Sequence, residues 1–241
     1  MTKTIRVATY NIHKGIGGVD RRYRPERIAE ALTAAAADVV LLQEVDDGCA
    51  RSQQHRQVDW LGDALGLPHR AWAANVAVRG GGHYGNAILA RWPLEPWANL
   101  DLTIGRRKRR SALVARLHPP HGAALVVGCL HLGLAQAERE AQLAQLLGAG
   151  EFAELGANTP AVLGGDLNDV YGRLGAHLAP AGFRSLPTPP TFPAWAPLRA
   201  LDGIYARGRA EVRALARGEA PLDKRASDHR LLVADVTIHP A

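Results

Sequence analysis

Apolar residues recur along this chain in two rhythms, and each apolar run stops on a polar residue. Ile5 to Ile12 reads as a buried strand that carries Tyr10 and Asn11 near its end. Pro25 to Ala36 sets Ile28, Ala31, Leu32 and Ala35 on one helical face, with the proline in the first turn, where a missing N–H costs nothing. Asp38-Val-Val-Leu-Leu is a second buried strand that runs out into Gln43-Glu44-Val45-Asp46, so carboxylates stand where the strand leaves the core. The same grammar returns later: strand Leu125 to His131, amphipathic helix Glu138 to Leu147, and strand Pro160 to Asp166. Two strand–helix–strand units that deliver polar groups at strand ends bring those groups into one cleft if their sheets pack face to face.

Hairpin-like segments lie between these halves: Ala71 to Val78, Tyr84 to Ala90, Leu94 to Leu102 and Ala112 to Leu117. Gly80, Gly82 and Gly85 match the spacing of a dinucleotide-binding loop, but a strand-like run follows where that loop requires a helix, so a flexible hairpin is expected. A proline-rich connector from Leu186 to Pro197 precedes short strands at Leu201 to Ala206 and Leu231 to Ile238. No linker or change in composition divides the chain, and residues 1–241 are expected to form one domain.

Composition narrows the class. With 47% hydrophobic and 22% charged residues, the chain is neither disordered nor collagen-like, and its apolar runs are too short for a bilayer span. No secretory signal precedes the first strand, so a soluble, cytoplasmic protein is expected. Cys49 and Cys129 are far apart and suggest neither a disulfide framework nor a thiolate metal site, and both are expected to be reduced. The net charge of +6 comes mostly from arginine and attracts polyanions or anionic headgroups without selecting among them. There is no phosphate-binding P-loop, His-Glu-x-x-His or Gly-x-Ser-x-Gly, which argues against kinase and serine-hydrolase chemistry.

What remains is a series of short polar clusters at strand ends: Asn11 with His13, Gln43-Glu44, His131, Asp166 with Asn168, Asp202, and Ser227-Asp228-His229. Strand ends are rigid platforms on which such groups can hold an ion and a phosphate in fixed geometry. Taken singly, each has an ordinary explanation in turn closure or surface pairing. In this order, Thr9-Tyr10-Asn11-Ile12, Leu42-Gln43-Glu44-Val45, Tyr84-Gly85-Asn86, His131-Leu132, Gly165-Asp166-Leu167-Asn168, Leu201-Asp202 and Ser227-Asp228-His229 resemble the endonuclease/exonuclease/phosphatase superfamily. That resemblance implies a deoxyribonuclease I-like fold, a four-layer α/β/β/α sandwich of two packed mixed sheets between helices. It also implies a metal-dependent phosphoesterase that attacks its ester with water. Glu44 is then the principal ligand of a divalent cation, with Asn11 and Asp228 beside it, and Mg²⁺ suits this oxygen-only set, with Mn²⁺ as the alternative. Asp166 and Asn168 orient or deprotonate the water and hold the phosphate, Asp202 buttresses His229 at the phosphate, and His131 contacts it or protonates the leaving group. His13, Asn86 and Arg110 are the implied substrate-binding residues.

Departures from the family pattern leave the branch open. His13 stands where abasic-site enzymes carry a carboxylate, and no acidic residue lies between Asp63 and Glu95 to partner His131, which is therefore expected to act as a lone cation. Charge runs ordinarily face water, so a solvated loop is expected at Arg106 to Arg110, with attraction to nucleic acid or phospholipid as the other reading. The functions in contention are a nuclease acting on DNA or RNA, a phospholipid or small-molecule phosphodiesterase or phosphatase, and a non-catalytic phosphate-binding module on the same fold.

Overall fold

In the computed structural model, which describes residues 2–120, 123–218 and 223–240, the chain forms eleven strands and six α-helices. Their order is β1 (Lys3–Asn11), α1 (Pro25–Ala35), β2 (Val39–Asp47), α2 (Gln57–Leu65), β3 (His69–Ala77) and β4 (His83–Ala90). Next come β5 (Leu94–Asp101), β6 (Ser111–Leu117), β7 (Leu125–His131), α3 (Gln136–Gly148), α4 (Gly150–Ala153) and β8 (Ala161–Asp166). The last are α5 (Leu174–Leu178), β9 (Asp202–Arg207), β10 (Ala210–Arg217), α6 (Asp223–Ala226) and β11 (Leu232–Ile238). Among the described residues, no helix is long and apolar enough to cross a membrane.

The strands make two mixed sheets, one in the order β10-β11-β1-β2-β4-β3 and the other β5-β6-β7-β8-β9. Each sheet holds one parallel pair, β1 with β2 and β7 with β8, joined through α1 and α3 respectively. These are the two strand–helix–strand units of the sequence pattern. Because strands bury both faces, their apolar residues serve two layers at once. Ile5, Val7, Leu41, Ile88, Val127 and Val162 fill the space between the sheets. On the outer face of the first sheet, Tyr10, Val40 and Leu42 pack on Ile28 and Leu32 of α1 and Val58 and Leu61 of α2. On the outer face of the second, Val114, Val126 and Leu163 meet Leu143 and Leu146 of α3 and Phe152 of α4. The result is the four-layer α/β/β/α sandwich that the motifs implied.

The glycine run between β3 and β4 is a hairpin turn, with Gly80, Gly81 and Gly82 all at positive φ, as expected of a non-helical segment. Five elements, α2, α4, α5, α6 and β10, are absent from the sequence reading, and α4, α5 and α6 span only four, five and four residues. In α2 the apolar face is short, and β10 is an edge strand whose alternating Glu211, Arg213 and Arg217 dilute the apolar signal.

Candidate active site

Parallel pairs align strand ends, so β1 and β2 end together, as do β7 and β8. Asn11 pairs in register with Gln43, and His131 with Asp166, which in turn pairs with Asp202 at the start of β9. Sandwich packing then brings the two rows face to face. The Asn11 side-chain amide donates to Asp166 Oδ2 across the sheets at 3.0 Å. Below it, Gln43 donates to Thr9 Oγ1 at 3.1 Å and to Cys129 Sγ at 3.2 Å, a buried polar seam that ties the sheets beneath the cleft. Burial pushes the Cys129 thiol up to about 12, so it stays a neutral part of that seam.

Local backbone irregularities aim the functional groups. Between Leu42↔Ala87 and Val45↔Gly85 the register slips, so Gln43 and Glu44 together oppose Asn86 alone. This bulge holds Glu44 at φ 58, out of the pleat. After β1, His13 and Lys14 sit at φ 45 and 61, a left-handed turn closed by Gly15 at φ 72. Gly165 precedes Asp166 at φ 155, where a Cβ would lie 2.0 Å from the Leu130 carbonyl oxygen, so only glycine permits β7 and β8 to approach here.

The resulting cleft has a volume of about 430 Å³. Its walls include Asn11, His13, Glu44, Arg110, His131, Asp166, Asn168, Asp228 and His229, nine of the eleven residues singled out from the sequence. Asp166 is the hub. Besides accepting from Asn11, its Oδ2 lies 3.5 Å from His131 Nε2 and 3.7 Å from His229 Nε2, and its Oδ1 accepts the Asn168 amide N–H at 3.0 Å. Asp202, completely buried, stands behind the cleft and pairs with His229 Nδ1 at 2.9 Å. Ser227 Oγ donates to the Asn11 carbonyl at 2.6 Å and accepts the His229 N–H at 3.2 Å, stapling the Ser-Asp-His segment to the end of β1.

These neighbours set the charges. Burial opposes a charge on His229, but Asp202 and Asp166 outweigh it and raise the imidazole to about 10, so it is an imidazolium at neutral pH. Burial also raises Asp166, to about 6, against the pull of His229. Burial resists ionisation of Glu44, yet cationic neighbours, above all the Lys14 ammonium paired with it, overcome it and hold its carboxyl at about 2. His131 moves the other way. Burial and the Arg110 guanidinium push it well below its usual value, so at neutral pH it is a neutral donor–acceptor.

Three expectations are corrected. His131 is neither a lone cation nor without a carboxylate, because Asp166 from the opposite parallel strand stands beside it. Asn86 does not line the cleft; its buried amide donates to Ser111 O at 3.0 Å and Cys129 O at 3.4 Å, joining the two sheets. The basic run is not wholly a solvated loop, since Arg107, Lys108 and Arg110 line the cleft and Arg110 is buried. Arg110 Nε has no hydrogen-bond partner among the described residues, leaving a buried cation available to an anion.

Lys14 escaped the sequence reading. It places its ammonium on Glu44 Oε2 and lies 5.8 Å from the Tyr84 ring, which Lys108 of the basic run approaches at 5.4 Å. Lys14 follows Asn11 and His13 in the same strand-end cluster, a signal that was available.

Among the described residues, two groups could hold a cation. Asp166, Asp202 and His229 offer ligand atoms within 4.8 Å of one another, but there the imidazolium offsets one of the two carboxylate charges, and its ring nitrogens face Asp202 at 2.9 Å and Asp166 at 3.7 Å. Glu44 with Asn11 and Asp228 is an oxygen-only set around an ionised carboxylate, and the Lys14 ammonium resting on Glu44 marks a place that takes positive charge. These residues fit a hard divalent cation.

Residues 8–229 match the Endonuclease/Exonuclease/phosphatase family. The chain belongs to that family. The Escherichia coli K12 protein YbhP is 34% identical over 97% of this chain and 96% of its own length. An endonuclease/exonuclease/phosphatase from Beutenbergia cavernae superposes with a TM-score of 0.80 at 24% identity, covering 98% of this chain and 72% of that one. A mannosyl-6-phosphatase of Bacteroides thetaiotaomicron superposes with a TM-score of 0.68 at 18% identity over 96% of this chain and 99% of its own. Both likenesses carry the shared fold of the family.

Proposed function

We propose that this member of the family is a divalent-metal-dependent phosphoesterase that cleaves a P–O ester bond with water. The observation that carries the reading is the meeting at Asp166 of side chains from both sheets: Asn11 at 3.0 Å, His131 at 3.5 Å and His229 at 3.7 Å. Glu44, Asn11 and Asp228 would hold the cation, which when bound supplies positive charge against the phosphoryl oxygens.

The chain's own groups supply the rest. A carboxyl at about 6 is mostly ionised at pH 7 yet still basic enough to accept a proton, which suits Asp166 to orient and deprotonate water. Its Oδ1 is held by the Asn168 N–H, and the Asn168 side-chain amide donates to Leu132 O at 3.0 Å, so both are braced before substrate arrives. The His229 imidazolium and the buried Arg110 guanidinium offer fixed positive charge to the phosphate, where preorganised donors act without reorganisation. His131, neutral, is placed to hydrogen-bond a phosphoryl or leaving oxygen. Asp202 is a positioning residue: it fixes the orientation and charge of His229.

The test is Glu44→Gln, with Mg²⁺ binding followed by calorimetry and hydrolysis of bis-p-nitrophenyl phosphate followed by absorbance. Loss of Mg²⁺ binding and a rate reduced at least about 100-fold, with an unchanged circular dichroism spectrum, is the expected result. Unchanged turnover would refute the assignment.

A further inference from the structure

We propose that the mouth of the cleft is a docking surface for an anionic phospholipid bilayer; the inference rests on the phosphoesterase reading of the cleft. Among the described residues, the large apolar side chains left exposed include Val19, Leu134, Val170, Tyr171, Trp195 and Leu198, from 39% at Val170 to 80% at Leu198. Each belongs to a loop that lines the cleft or adjoins one of its residues in sequence or through a bonded or packed neighbour. Val19 follows Gly18, whose Cβ position lies 2.7 Å from the Asp228 Cα. Leu134 lines the cleft itself, three residues after His131. Val170 and Tyr171 lie two and three residues after Asn168. Trp195 follows Ala194, whose N–H donates to Asp228 O at 2.7 Å, and Leu198 donates its N–H to the carbonyl of Phe192, whose ring packs 5.1 Å from His229. Leu186, elsewhere in the connector, is the exception.

Scattered apolar residues on a surface need no explanation, but six of the seven exposed among the described residues lying in loops next to cleft residues do. The charge around that opening is positive. Arg106 to Arg109 are exposed in succession, with Arg107 and Lys108 reaching the cleft wall. Exposed arginines also lie near the apolar residues in sequence: Arg21 and Arg22 beyond Asp20, which pairs with Arg27, Arg173 two residues after Tyr171, and Arg199 directly after Leu198.

Apolar tips among cations match the headgroup layer of an anionic membrane, where Trp and Tyr settle at the interface and Lys and Arg meet lipid phosphates. Nucleic acid fits less well. Four of the six residues are aliphatic and have nothing to stack, and Arg173 lies 5.4 Å from the Tyr171 ring on the face a base would need.

Two double variants outside the cleft lining test this, Trp195→Ser/Leu198→Ser and Arg106→Gln/Arg109→Gln. Each is mixed with sucrose-loaded vesicles of phosphatidylcholine alone or with phosphatidylglycerol, and sedimented. The unaltered protein should partition onto the phosphatidylglycerol vesicles at least about tenfold more strongly than onto phosphatidylcholine, and each double variant should lose at least about fivefold of that partition. Hydrolysis of bis-p-nitrophenyl phosphate should be unchanged in both. Absence of partition, or partition equal in the variants, overturns the proposal, as does preferential binding of a labelled single-stranded oligonucleotide that the same variants weaken. If vesicles bind nothing while metal-dependent hydrolysis persists, docking alone fails. Unchanged turnover in Glu44→Gln would instead remove the phosphoesterase reading beneath it.

Discussion

Replacing Asp202 by asparagine keeps the shape of a fully buried side chain and removes its charge from beside His229 Nδ1, 2.9 Å away. The imidazole rises from 6.5 to about 10 on folding, despite burial and because of Asp202 and Asp166, which corresponds to roughly 5 kcal/mol of stabilisation. Removing one partner of a buried ion pair ordinarily costs about 3–5 kcal/mol, which agrees. Asp166 remains 3.7 Å from the other ring nitrogen and retains part of the effect, so a loss of about 3 kcal/mol near pH 7 is expected. The pH dependence is the sharper signature. A group whose pKa is raised by folding stabilises fully below its unfolded value of 6.5, and that stabilisation is lost as pH climbs through about 10. The gap between the parent protein and Asp202→Asn should therefore narrow between pH 7 and pH 10. Urea unfolding at a series of pH values, with an NMR titration of the His229 ring, measures both. A gap that stays constant across the range, or an imidazole still titrating near 10 in the variant, would refute the reasoning.

Lys14→Met removes the ammonium resting on Glu44, so Mg²⁺ should bind about tenfold more tightly by calorimetry, and an unchanged affinity would count against competition between the two cations. With Asp166 at about 6, hydrolysis should climb with unit slope as pH rises toward 6 and then level; a profile flat from pH 5 to pH 7 would exclude Asp166 as the base. Gly165→Ala forces a Cβ to within 2.0 Å of the Leu130 carbonyl, and a loss of more than about 2 kcal/mol in urea unfolding is expected, with a smaller loss showing that the strand pair can yield.

Much of this site was legible because strand ends are legible. The run from Ile5 ends at Asn11 in β1, and the runs ending on His131 and Asp166 became β7 and β8 with those residues as their last members. What the pattern could not carry was direction. Asn86 occupies a family motif, yet it sits opposite the bulge at Gln43 and Glu44 and spends its amide on Ser111 and Cys129. The same holds for the basic run. A string of arginines reads as solvated until Arg110, one residue before β6, is drawn inside and its neighbours follow it to the cleft wall. The partner of His131 was sought between Asp63 and Glu95 and comes instead from Asp166, across a parallel pair that no local spacing encodes.

β11 lies between β10 and β1, with Leu232 to Ile238 running antiparallel to Thr9 back to Lys3. Translation delivers β1 ahead of the other described strands and β11 after them, so until β11 emerges the edge of β1 that it covers has no neighbour. Asp228 and His229 leave the ribosome only just ahead of β11. A nascent chain therefore carries Asn11, Glu44 and Asp166 without the imidazolium that completes them, and the insertion of one late strand both seals an aggregation-prone edge and arms the cleft.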